Sequence, residues 1–307
     1  MRDLKIKLPK TVYTPGEAIA GILEVECDQG FDSKETTVTF AGTIKAEASY
    51  TTFKGNKSTT HTAKLDNQLL EGSIEIAGER HYEKGLHHFP FSFGLPTSEQ
   101  TFTQNMNIRT GMLPSLEGAP SIKYLLSAQI KVSRLKTLKD EIPIKIVVPL
   151  EEWPKVVKNE KSLEGKVFLE TDSDIHCIGT PFELRYKIKE GTKVKKMKLE
   201  FLHEKYVRLS GINSYSTTSL FKTEIPTPEE TPTWQTITLE PGTGIPQSFN
   251  CEVIESKLLL KVEAESGRFS KVKTELNLLA YHCPDKPKPH EEDEITTKDG
   301  TSVSFDF

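Results

Sequence analysis

No apolar run in the chain approaches the ~20 consecutive positions a membrane-crossing helix needs. The opening stretch, Met1-Arg-Asp-Leu-Lys-Ile-Lys7, lacks the apolar segment of a secretory leader, so a soluble, cytoplasmic protein is expected. Cysteine is scarce: Cys27, Cys177, Cys251 and Cys283 include no Cys-x-x-Cys pair. That excludes a zinc ribbon, a redox motif and a disulfide scaffold, and the four read as reduced thiols, three of them inside strands. The eight histidines show no His-x-x-His or His-Glu-x-x-His spacing. His87 and His88 are adjacent, and neighbours on a strand point to opposite faces, so they cannot share a metal. There is no Gly-x-Ser-x-Gly elbow, Walker loop or Gly-x-Gly-x-x-Gly turn. Glu151-Glu152, Asp172 and Asp174 read as turn acids. With no catalytic constellation, neither enzymatic activity nor a cofactor or metal is expected.

Net charge is small too, −4 from 40 Lys+Arg against 44 Asp+Glu, and its placement is uneven. From Pro284 onward there are seven acidic and three basic residues, which leaves 37 of each in residues 1–283. The acidic excess therefore belongs to the last two dozen residues. A neutral body has no global field for nucleic acid, and contact with anionic lipid has to rest on a local patch.

Hydrophobic residues make up 36% of the 307 positions and are spread along the chain, enough for two domains of ordinary size. Their spacing is period 2, with hardly any helical periodicity. Ile122, Tyr124, Leu126, Ala128, Ile130 and Val132 alternate with polar residues. So do Phe182, Leu184, Tyr186 and Ile188, then Met197, Leu199 and Phe201, and Leu276, Leu278 and Ala280. Leu258, Leu260, Val262 and Ala264 give another strand, buried on alternate positions. Pro15-Gly16, Gly94-Leu95-Pro96, Glu190-Gly191 and Pro241-Gly242 punctuate the runs, the pattern of β-sandwiches.

A boundary falls near Val148-Pro149 to Trp153-Pro154, with a fresh strand opening at Leu163–Val167. The expected organisation is an N-terminal sandwich over 1–150, a C-terminal one over 155–283 and an acidic tail over 284–307. The halves echo each other in order. Tyr13–Val25 pairs with Ile178–Ile188, and His88–Pro96 with Ile245–Phe249. Ser121–Val132 pairs with Leu258–Ala264, and Leu135–Ile142 with Phe269–Leu276. Two stretches stand apart: Ser49–Thr62, rich in Ser and Thr around Gly55-Asn56, reads as a hairpin tip or long loop, and Gly211–Thr233 as a long loop.

Three motifs in a fixed order resemble the arrestin superfamily, its α-arrestin (arrestin-domain-containing) branch more than the visual and β-arrestins. They are Tyr13-x-Pro15-Gly16-Glu17-x-Ile19-x-Gly21, Gly85-Leu-His-His-Phe-Pro-Phe-Ser-Phe-Gly-Leu-Pro96 and Leu113-Pro-Ser-Leu-Glu-Gly-Ala-Pro-Ser-Ile-Lys-Tyr124. Each has a plain structural reading: a Pro-Gly turn, then Phe89, Phe91 and Phe93 anchoring a core, with Pro90 marking a strand edge or bulge. The resemblance implies two tandem immunoglobulin-like antiparallel β-sandwiches, the bilobal all-β arrestin fold. It also implies a non-enzymatic adaptor or scaffold whose partners are cytoplasmic tails of membrane proteins and the trafficking machinery. A retromer-type cargo-sorting subunit and a prokaryotic arrestin-like stress or sporulation-control protein share that fold. The chain departs from the pattern by inserting Thr97–Met112, and it has no Pro-Pro-x-Tyr motif, by which α-arrestins recruit WW-domain ligases.

Visual and β-arrestins grip receptor phosphates through lysines of the first strand, which the resemblance places at Lys5, Lys7 and Lys10. The plain alternative is an edge strand guarded by lysine. Lys193, Lys195, Lys196 and Lys198 form a second basic patch, suited to lipid headgroups or to the acidic tail. In the tail, Glu291, Glu292, Asp293 and Glu294 with Phe305 and Phe307 form a candidate regulatory element that could fold back on those lysines. The alternative is a solubilising tail.

Overall fold

The computed structural model describes residues 2–97, 112–133, 136–150, 159–226, 233–266 and 270–284. Every regular element among them is a strand. In the first half, β1 (Arg2–Lys7), β3 (Ala18–Cys27) and β8 (Gly85–Gly94) form one sheet in the order β1-β3-β8. Opposite it lie β2 (Val12–Tyr13), β10 (Thr137–Ile146), β9 (Ser121–Lys131), β5 (Glu35–Lys54) and β6 (Lys57–Ala77), in that order. A small ribbon joins β4 (Phe31–Ser33) to β7 (Arg80–Tyr82).

The second half repeats the plan. One sheet runs β11 (Asn159–Leu163), β12 (Val167–Thr171), β14 (Phe182–Ile188), β17 (Gln235–Leu239). The other runs β13 (Ile175–Cys177), β20 (Ser270–Tyr281), β19 (Ile254–Ser266), β15 (Lys196–Leu209), β16 (Ile212–Pro226), with β18 (Phe249–Asn250) paired to β19. The order β2-β10-β9-β5-β6 maps strand for strand onto β13-β20-β19-β15-β16. In both, the short leading strand lies parallel to the last strand of its half. Both then turn through a glycine at positive φ, Gly16 (+84°) and Gly179 (+88°), a conformation glycine adopts without strain. Three of the four sequence echoes are these equivalences. The fourth is not: β8 corresponds to β17, while Ile245–Phe249 follows β17 and runs into the first residue of β18, matched by composition and not by place.

Of the two readings of Ser49–Thr62, the structure gives the hairpin tip: β5 and β6 pair from Ser49↔Thr62 to Lys54↔Lys57 and close on the two residues Gly55-Asn56. Other expectations need correcting. Gly211–Thr233 is mostly strand β16, joined to β15 by Ser210-Gly211, both at positive φ (50° and 77°) as a type I′ turn demands. The strand expected to open at Leu163 is another such hairpin: Glu164 and Gly165 (φ 50° and 66°) turn β11 into β12. Leu258, Leu259 and Leu260 are all buried, because this end of β19 is covered on both faces. Finally, Cys177 and Cys283 are joined by a disulfide, Cys27 and Cys251 take no part in one, and of the four only Cys27 and Cys177 lie in strands. The parallel pairing of β13 with β20 brings Cys177 level with Tyr281, two residues short of Cys283, which spacing in sequence could not reveal.

Each half has its own apolar core. Leu4, Ile6, Ile19, Leu23, Phe91, Phe93, Phe40, Leu126 and Ile144 meet between the first two sheets. Leu184, Tyr186, Met197, Phe201, Leu260 and Leu276 meet between the second pair. The first core also receives Val207, Leu209, Cys251, Val253 and Ile254 from the second half, so the long hairpin β15–β16 and the start of β19 reach across.

Candidate partner-binding surfaces and the seam between the halves

The first motif is a turn built from its own side chains. Thr14 carbonyl accepts from Glu17 N–H (3.2 Å), and the Glu17 carboxylate accepts from Thr14 N–H (2.8 Å) and from Lys10 Nζ (2.9 Å). Tyr13 Oη donates to Lys10 carbonyl (3.0 Å), and the Lys10 ammonium lies over the Tyr13 ring. The ammonium of Lys10, with the Thr14 amide, holds the Glu17 carboxyl below its ordinary pKa. Gly21 sits under the next motif: a methyl group there would lie 2.6 Å from Phe91 Cζ and 2.7 Å from Lys7 carbonyl. Phe91 and Phe93 are buried as anchors, and Pro90 lies on β8, which among the described residues is an edge strand paired with β3 alone.

Lys5 and Lys7 share the solvent face of β1, also an edge strand. Neither stands alone. Lys5 pairs with Asp3 (2.9 Å), whose hydrogen bond raises the lysine pKa, and Lys7 with Glu24 (3.6 Å), which His88 also approaches (3.3 Å). The strand's outward amides are capped as well, Leu4 N–H by Asp3 (3.0 Å) and Ile6 N–H by Asp140 from the facing sheet (2.8 Å). Lys196 and Lys198 lie in a charge ladder running across four strands. They sit between Glu224 of β16 and Glu265 of β19, at 3.4 to 3.9 Å, and beyond them Lys271 and Lys273 hold Glu263 at 3.1 and 3.2 Å. Lys193 and Lys195 precede the strand at exposed positions. The acidic and aromatic tail residues, Glu291–Glu294, Phe305 and Phe307, lie outside the described residues, as do residues 151–158 at the expected boundary.

Sequence reasoning missed the polar seam where the halves meet. On one face of β15, Phe201, His203, Lys205, Val207 and Leu209 follow one another. Phe201 enters the second core and Val207 the first, so His203 and Lys205 fall between two apolar clusters. Lys205, 8% exposed, donates from Nζ to the Glu117 carbonyl (2.8 Å), and burial lowers its pKa. Gly118, at φ +87°, lets that loop come close; a methyl group there would lie 3.2 Å from Nζ. The same loop is the third motif. Tyr124 Oη donates to Leu113 carbonyl (2.8 Å), with the phenol pKa raised by burial, and Ser115 Oγ accepts from Ile146 N–H (2.8 Å). His203 Nε2 meets Ser256 Oγ (2.8 Å), which donates to Gln247 carbonyl (3.0 Å). The Gln247 side-chain amide accepts from Val148 N–H (3.0 Å) and donates to Val148 carbonyl. Burial, with the nearby Lys205 charge, pushes the His203 pKa down to about 4. Only the alternation of β15, continuing past Phe201 through a histidine and a lysine, hinted at this in the sequence. Among the described residues, no three His, Cys, Asp or Glu side chains gather as a metal site requires.

Residues 3–152 match the sequence profile of the arrestin (or S-antigen) N-terminal domain. The match covers just under half of the chain and supports its place in the arrestin superfamily and, in general terms, an arrestin-like adaptor role. No curated protein gives a significant match.

Proposed function

We propose that this protein is a non-enzymatic adaptor of the α-arrestin type that binds cytoplasmic tails of membrane proteins, in the cytoplasm and at membrane surfaces, in trafficking or signalling. The observation that carries this reading is the arrestin N-terminal profile over residues 3–152, on a half whose strand order is repeated in the second. Lys5 and Lys7 are the proposed phosphate grips. Their present partners, Asp3 and Glu24, belong to the same surface, so a phosphorylated tail has to displace carboxylates and binding is salt-sensitive. Lys10 is held by its turn and contributes less. The acidic tail element is the proposed competitor for these lysines, or for the 193–198 patch.

The test is titration of phosphorylated tail peptides into the full chain and into a form lacking residues 284–307. Tighter binding by the shortened form is expected, and unchanged affinity ends the autoinhibitory part. A retromer-type cargo-sorting subunit, which shares the bilobal fold, is the second reading. It requires a large helical-solenoid protein to co-purify in fixed ratio from native cells.

A further inference from the structure

The hairpin β5–β6 outruns its core. Ala48 is the last buried residue of β5, and every residue from Ser49 to Thr62 is exposed. At about 3.4 Å per residue, the paired arm beyond Ala48 projects roughly 20 Å. Isolated two-stranded ribbons are marginal in water, so an arm this long with both faces wet is suited to a surface outside the molecule.

Its chemistry says which. The arm carries seven serines and threonines, no carboxylate, and just two formal charges, Lys54 and Lys57, paired across the turn. Lys5, Lys7, Lys10, Lys196 and Lys198 all face acids. Beside the two lysines stands Phe53, 79% exposed, more than any other large apolar side chain among the described residues. An aromatic ring at the end of a projection, flanked by cations on flexible stems, matches the layering of an anionic bilayer surface. The ring lies at the acyl boundary and the ammonium groups at the phosphates.

We propose that the tip Phe53–Ser58 docks on anionic phospholipid, Phe53 entering the interface while Lys54 and Lys57 meet the headgroups. A partner protein would more commonly present a mixed-charge, shaped surface, and the tip offers neither a pocket nor an acidic group to read one.

The experiment is co-sedimentation of the full chain with phosphatidylcholine vesicles, with and without phosphatidylserine. The expected result is binding that requires phosphatidylserine and falls with added salt. Lysine near an anionic surface is worth about fivefold in affinity, so Lys54→Gln with Lys57→Gln is expected to weaken binding about thirtyfold. Phe53→Ser is expected to weaken it about tenfold. Phe53→Trp should bind as wild type, with its emission shifted to the blue only on anionic vesicles. All of these positions are exposed, so the fold should tolerate the changes. Absence of binding to anionic vesicles, unchanged binding in the variants, or an unshifted tryptophan would overturn the proposal. So would lysine-dependent binding to a soluble phosphopeptide without binding to vesicles.

Discussion

Gly21 and Gly94 lie in neighbouring strands of one sheet and differ in one respect that matters. A methyl group at Gly21 collides with Phe91, Leu8 and the Lys7 carbonyl, while nothing lies within 4 Å of one at Gly94. Gly21→Ala is expected to cost about 1–3 kcal/mol by overpacking, read from the midpoint of chemical denaturation, and Gly94→Ala to leave it nearly unchanged. Two buried histidines set a pH dependence. His176 packs against Phe182 and Phe201 with its Nε2 unpartnered, and His203 lies in the seam; burial pushes both down to about 4. The unfolded chain takes protons on these rings below about pH 6.5, where the folded chain does not. Their contribution to stability is therefore present above pH 6.5 and is lost as pH falls towards 4, about 3 kcal/mol at most for each. Denaturation midpoints across that range should flatten in His176→Leu. An unchanged slope would show that the loss arises elsewhere.

The turn of each hairpin decided how far its strands could be read. Strands with one buried face, such as Phe182–Ile188 and Ser121–Lys131, alternate in sequence as they do in space. Strand β16 and the outer half of β5–β6 bury little, so Ser and Thr replaced the apolar register and the segments looked like loops. What could have found β16 was turn chemistry, Ser210-Gly211 at two-residue hairpin length, as Gly55-Asn56 pointed to the tip of β5–β6. The disulfide is an element-scale tie: it fastens the short strand β13 to the chain just beyond β20 and closes a loop of 106 residues. A thiol count on unfolded, unreduced protein should give two, Cys27 and Cys251, and four after reduction. Reduction should lower stability by about 2–5 kcal/mol, measured by thermal denaturation with and without reductant. Four thiols before reduction would restore the reduced reading and fit a cytosolic setting, where disulfides are rare.

At the scale of the whole molecule, the duplicated strand order was legible because both halves repeat the same burial pattern in sequence. The seam was not, because its members come from four distant places, Glu117, Val148, Lys205 and Gln247, that only the finished fold brings together. Lys205→Met keeps the stem and removes the donor to Glu117, so it should speed amide exchange around Val148 and Ile254 while leaving the second core protected. Exchange no faster than wild type would show that the lysine does not hold the seam. The central claim, an adaptor for membrane-protein tails, is tested most directly by fluorescence anisotropy. The full chain is titrated into a panel of labelled cytoplasmic-tail peptides, phosphorylated and not. Saturable binding to a subset, weakened by salt and by Lys5→Glu with Lys7→Glu, is the predicted result; no saturable binding to any tail in either form would contradict it.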